Sequence, residues 1–195
     1  MKFLFFFLFS FFILIKNSHI KSDEIDIYQI EGISINDSLL NIFTKKYISK
    51  KSKDVKLGKK KYSNYKKIYK DKNNKLYDRV VLYYKSGDLR YAIKKIIGRK
   101  YFKNKIEECY KSQQNISNDL EKSLINSEKI ETDIIKNPSY PNGDSYYKVI
   151  TFYINENSSI WLICNDYSKK DTKTKDKLEV LFFSGEYYSW SRSAK

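Results

Sequence analysis

Few residues in this chain are able to do covalent chemistry. The only histidine is His19, and the only cysteines are Cys109 and Cys164. With the histidine confined to the first residues, the rest of the chain cannot assemble a Ser–His or Cys–His pair. Two separated cysteines without histidine supply too few ligands for a zinc site. No G-x-G-x-x-G or P-loop pattern occurs. Carboxylates alone can hydrolyse glycosides, and the adjacent Glu107 and Glu108 invite that reading. Neighbouring helix positions face different directions, however, and acids are favoured in a first helical turn anyway. The expectation is a chain with no catalytic residue, no metal site and no cofactor. A carboxylate-dependent hydrolase is a remote alternative.

The lysines suggest binding instead. Residues 45–75 hold fourteen Lys against Asp54 and Asp71, a local excess of +12. Removing residues 1–22 takes away Lys2, Lys16 and Lys21 and leaves a net charge of +12, from 35 cations and 23 acids. All of the excess therefore sits in one segment. Lys59, Lys60, Lys61, Lys66 and Lys67 are its candidate anion contacts. Tyr47, Tyr62, Tyr65 and Tyr69 are interleaved and could stack or pack at an interface. The alternative is a well-solvated loop with biased composition. It is favoured by the presence of only four Arg, since bidentate phosphate contacts select Arg over Lys.

The N-terminus bears on what the anion could be. Lys2 precedes a run from Phe3 to Ile15 that is apolar except for Ser10. Thirteen helical residues reach about 20 Å, short of the roughly 30 Å hydrocarbon layer. The pattern fits a secretory signal peptide over residues 1–22, cut near Ser22–Asp23. An uncleaved inner-membrane segment or a buried helix are the alternatives. Export points to a periplasmic or secreted protein with no stable transmembrane span in the mature chain. Nucleic acid is then not expected as a partner. Anionic lipid head groups, lipopolysaccharide and acidic polysaccharide remain.

Positioning these residues requires a folded domain. With 41% hydrophobic residues, the chain is too apolar for disorder despite 31% charged residues. Residues 23–195 read as a single α+β domain. A strand or extended lead-in covers 23–33. A first helix is expected near 35–48, with Ser34 and Asp37 as a weak capping box. An edge strand guarded by lysine is expected within 63–69. A hairpin spans 76–98 around Ser86-Gly87-Asp88. An amphipathic helix near 104–126 buries Cys109, and a second hairpin turns around Asn155–Asn157. A last strand and an aromatic tail follow Leu178. The predicted architecture is an antiparallel sheet covered on one face by two helices, with a helix-plus-strands pattern stated twice. Ile160, Leu162 and Cys164 alternate on one strand face, which points Cys164 toward Cys109. An even cysteine count in an exported chain suggests a disulfide, worth about 3–4 kcal/mol on loop entropy. Two separate buried thiols are the alternative.

The segments IEGISINDSLLNIF, YDRVVLYYKSGDLRYAIKKIIG, NKIEECYKSQ and IWLICNDYS, in that order, resemble a group of small exported proteins from AT-rich marine bacteria. In that group a G-x-S-I-x-D-S-L-L-like segment follows a signal peptide, and a helix cysteine precedes a late-strand cysteine. The resemblance implies export and an α+β fold, and carries no activity. The functional expectation is an exported, non-enzymatic envelope protein acting as a structural or protein-interaction module. The alternative is weak binding of anionic surfaces through residues 45–75.

Overall fold

The computed structural model describes residue 25 and residues 28–55, 64–71, 73–103, 105–138, 140, 144–167 and 175–193. The expected signal segment and Lys59, Lys60 and Lys61 lie outside the described residues.

Runs of β-branched and aromatic residues, broken by turn formers, fold as antiparallel strands. The strands are β1 (Gln29–Ile30), β2 (Ile33–Ser34), β3 (Lys53–Asp54), β4 (Tyr65–Lys70), β5 (Arg79–Lys85) and β6 (Ile93–Phe102). They continue as β7 (Glu128–Glu131), β8 (Ile135–Lys136), β9 (Tyr146–Tyr153), β10 (Ser159–Asp166) and β11 (Asp176–Phe183). The helices are α1 (Lys45–Lys51), α2 (Ile106–Ser123) and α3 (Gly185–Ser193). β1 and β2 form a small hairpin. The other strands build one sheet in the order β3-β4-β5-β6-β11-β10-β9-β7, with β8 also on β9. After β6 the chain crosses through α2 to the far edge, then winds back until β11 meets β6 in the middle. The α+β antiparallel reading of the sequence holds.

Period-two alternation divides the sheet into two faces. On the inner face, Ile68, Leu82, Ile96, Ile150, Phe152, Leu162, Val180 and Phe182 form the larger core. Ile48 of α1, Cys109 and Leu120 of α2, and Ile30, Ile33 and Leu39 of the N-terminal segment join it. Full burial of each large aliphatic or aromatic side chain is worth about 1.5–3 kcal/mol. Cys109 and Cys164 are bonded, with their Cα atoms 6.0 Å apart. One turn along α2, the buried Gln113 donates from Nε2 to the carbonyls of Lys148 (3.0 Å) and Leu162 (2.8 Å). Together these links fix α2 across β9 and β10.

The predicted first helix is split. The Asp37 carboxylate accepts from the Ser34 N–H at 2.8 Å, but this half of the capping box closes a turn. Ser38 caps a short 3₁₀ turn at Leu39–Asn41, and Thr44 caps α1 by accepting from the Tyr47 N–H at 3.3 Å. Two good N-caps six residues apart start two short helical pieces, each aiming a different apolar residue at the core. The aromatic tail is also ordered. α3 begins where Ser184 accepts from the Tyr187 N–H at 3.2 Å, and Tyr187 and Tyr188 pack into a second, outer cluster with Tyr65, Val81, Tyr83, Leu181 and Phe183.

Glu31 ties the N-terminal hairpin to the sheet. Its carboxylate accepts from the N–H groups of Lys75, Leu76 and Tyr77 at 2.7, 2.5 and 3.0 Å. Burial acts to raise its pKa, but these three hydrogen bonds prevail and lower it. The anchored Tyr77 ring lies flat on Gly98, where a Cβ would sit 2.8 Å from two ring carbons. Gly98→Ala is expected to cost about 1–3 kcal/mol by overpacking. An unchanged denaturant midpoint would mean that the ring moves aside at no cost.

Candidate anion-binding face

The outer face of the sheet gathers cations from five strands. Strand register places Lys53 beside Lys67, Arg79 beside Arg99, and Arg99 beside Glu179. Lys85, Lys95 and Lys177 occupy positions of the same parity. Seven cations on β3, β4, β5, β6 and β11 thus share a face on which Glu179 is the sole acid of those strands. At one end α3 lies over this face. Elsewhere, among the described residues, no helix covers it.

Glu179 organises the centre. Its Oε1 accepts from Arg99 Nε at 2.6 Å and pairs with Lys177 Nζ at 3.4 Å, while Asn165 Nδ2 reaches its Oε2 at 3.4 Å. One carboxylate therefore offsets two cations and keeps both from straying. Removing it would leave two largely shielded cations unpaired, which is costly. Burial lowers the Lys177 pKa, and Glu179 opposes the shift.

Tyr69 forms a second focus toward the β4 edge. Lys53 Nζ, Lys67 Nζ and Arg79 Cζ lie 5.8, 6.0 and 5.4 Å from its ring centroid. Arg79 also binds the Asp71 carboxylate at 2.5 Å. Cations held against an aromatic face are attracted by its π-electrons without using up their N–H donors, so Lys53 and Lys67 can still meet an incoming anion.

Lys95 behaves differently. Its ammonium is boxed by the rings of Phe183 (4.5 Å), Tyr83 (5.0 Å) and Tyr187 (5.1 Å). No carboxylate lies within ion-pair distance among the described residues. Burial drives its pKa down to about 8, against the pull of Glu179. The box ties β6 to α3, alongside the ion pairs from Lys85 (2.8 Å) and Lys94 (3.3 Å) to Glu186. Lys95 is an anchor for α3 more than a contact for a ligand.

The sequence candidates fall out unevenly. Lys67 sits on the basic face. Lys66, its neighbour in an extended strand, registers with Tyr84 and Asp54 on the opposite face. Contiguous lysines in a strand cannot all meet one surface. Glu107 and Glu108 are exposed in the first turn of α2, and Glu108 pairs with Lys105 at 2.7 Å. They converge on no common site. No group of three or more potential metal ligands occurs among the described residues. Arg79, Lys95, Arg99 and Lys177 were missed because charge was summed along the chain. The alternation of RVVLYYK and IKKIIGRKYF carried the information that they share a face.

The chain matches no family model, no curated protein and no solved structure.

Proposed function

We propose that this is an exported, non-enzymatic binding module that holds an extended polyanion against the outer face of its sheet. The observation that carries the reading is the placement of seven cations on that face of β3, β4, β5, β6 and β11, where Glu179, Asp71 and Glu186 pair with four of them. Lys53, Lys67 and Arg79 form its accessible rim around Tyr69. The Cys109–Cys164 bond supports export, because disulfides persist in oxidising compartments such as the periplasm or the exterior. No described helix is long and apolar enough to cross a membrane. Anchoring by an uncleaved N-terminal segment is the alternative mode of attachment.

Lys53→Gln/Lys67→Gln/Arg79→Gln removes three rim charges without touching the Glu179 centre. At about 1 kcal/mol for each well-placed cation, affinity for inorganic polyphosphate is expected to fall about tenfold to hundredfold at low salt. Binding by the natural sequence should fade toward 1 M salt, where the Debye length contracts to about 3 Å. Equal binding by both proteins, with thermal unfolding unchanged, would remove the outer face from the account.

A second reading rests on the opposite edge. Ile130, Ile134 and Ile135 are 46%, 55% and 41% exposed near the β7–β8 margin. Such an apolar margin suits a protein partner, as in a structural or interaction module of the envelope. Salt-insensitive capture that the triple variant leaves intact, and that Ile130→Lys abolishes, would favour it.

A further inference from the structure

The β4 edge carries a feature that flat charge attraction does not require. β3 pairs only with Lys66 and Lys67, so the last residues of β4 have no strand on that side among the described residues. There, an open pocket of about 330 Å³ is lined by Ile42 and Phe43 ahead of α1, Tyr47 of α1, Tyr69 and Lys70 of β4, and Asp71 and Asn73. Phe43 and Tyr47 stack with centroids 5.0 Å apart and planes 14° from parallel. Tyr47 remains 42% exposed. Lys70 Nζ is held by the Asn73 carbonyl at 3.3 Å and Asn74 Oδ1 at 2.6 Å, which stiffens the rim.

From these residues we infer that the cavity takes one ring of an acidic polysaccharide, a uronate or sulfated sugar, while the chain continues over the basic face. The inference rests on the polyanion reading above and names its ligand class. A pyranose has an apolar C–H face, a rim of hydroxyls and, in these polymers, a fixed negative group. Each finds its complement here. Tyr47 offers the ring face that Phe43 leaves open, and Asn73 and the Asp71 oxygen not bound by Arg79 offer hydrogen-bond partners for hydroxyls. Lys53, Lys67 and Arg79, which stand around the Tyr69 ring outside the cavity lining, offer the positive charge to the chain as it leaves the cavity. A phosphate or glycerophosphate head group has the charge without the C–H face, and would leave the aromatic lining unused.

The test compares oligogalacturonate, its fully methyl-esterified counterpart, inorganic polyphosphate and phosphatidylglycerol vesicles. Tyr47→Ala is the main variant and Tyr47→Phe its conservative control. Oligogalacturonate should bind, its uncharged ester should bind more weakly, and Tyr47→Ala should weaken the acid form about tenfold. Polyphosphate binding should change less than about twofold, and Tyr47→Phe should restore the sugar affinity. A Tyr47→Ala protein with unaltered oligogalacturonate binding overturns the cavity assignment. If the rim triple variant still loses polyphosphate, the basic-face reading survives that result. Vesicle binding that depends on Tyr47 while oligogalacturonate does not bind would assign the cavity to lipid and overturn the inference. Loss of every ligand in the Tyr47→Ala protein, with normal thermal unfolding, would also overturn it.

Discussion

Removing the Cys109–Cys164 bond should lower stability by about 4 kcal/mol, close to a thousandfold in the folded-to-unfolded ratio. The linked residues are 55 apart in sequence. Opening a loop of that length restores a large conformational entropy to the unfolded chain. The topology adds a specific reason for the bond. α2 is the crossover that carries the chain from β6 in the middle of the sheet to β7 at its far edge. Until β9, β10 and β11 return, nothing in sequence order holds that crossover to the strands it will cover. The disulfide and the paired carbonyl bonds of Gln113 secure α2 to the returning strands. Cys109→Ala/Cys164→Ala and the reduced natural chain should agree in guanidinium midpoint, since both lose the same loop constraint. A loss below about 1 kcal/mol would show that Gln113 and the apolar contacts of α2 suffice, and that the unfolded chain is already constrained by residual structure.

Hairpins and the long helix were legible because their information is local. Arg79–Lys85 and Ile93–Phe102 flank a turn with Gly87 at φ 82°, a conformation that glycine adopts freely. Cys109, Gln113, Ile116 and Leu120 recur at helical spacing, so most of the buried side of α2 could be read directly; the buried Ser117 adds to it. The first helix was misread because its apolar spacing continues through two N-caps, and periodicity does not register where one helical piece stops and the next begins. α3 was read as a tail because Tyr187, Tyr188 and Trp190 gain most of their ring partners from distant strands, β4, β5 and β11. The basic face was obscured in a similar way. A lysine-rich stretch attracts notice as a block, whereas Arg79 and Arg99 are spread along a hairpin and Lys177 comes from β11, which joins β6 only after α2 has crossed over.

Stability is expected to rise modestly between about pH 8 and 10 and then fall steeply, and the outer cluster accounts for both limbs. Lys95 has a folded pKa of about 8, below the usual lysine value near 10.4. In that window the unfolded chain binds more protons than the folded one, so raising the pH favours folding. Lys177, lowered by burial, acts in the same direction. Lys85, whose hydrogen bond to Glu186 raises its pKa, opposes them where it begins to titrate. The tyrosines then dominate. Burial pushes Tyr77 and Tyr83 up to about 12 and raises Tyr65 and Tyr187 as well, with Glu186 adding to Tyr65 and Glu31 to Tyr77. Their stability contribution is complete below the unfolded tyrosine value near 10 and is lost as pH climbs toward the folded values. Each group contributes a slope of at most about 1.4 kcal/mol per pH unit, so four acting together outweigh Lys95. Denaturant midpoints measured from pH 7 to pH 11.5 should trace this profile. Lys95→Met should flatten the rise and leave the fall. Tyr83→Phe should soften the fall and leave much of the rise. If Lys95→Met left the rise unchanged, the ammonium within the three-ring box would be an ordinary solvated lysine. α3 would then be held by Glu186 and its rings alone.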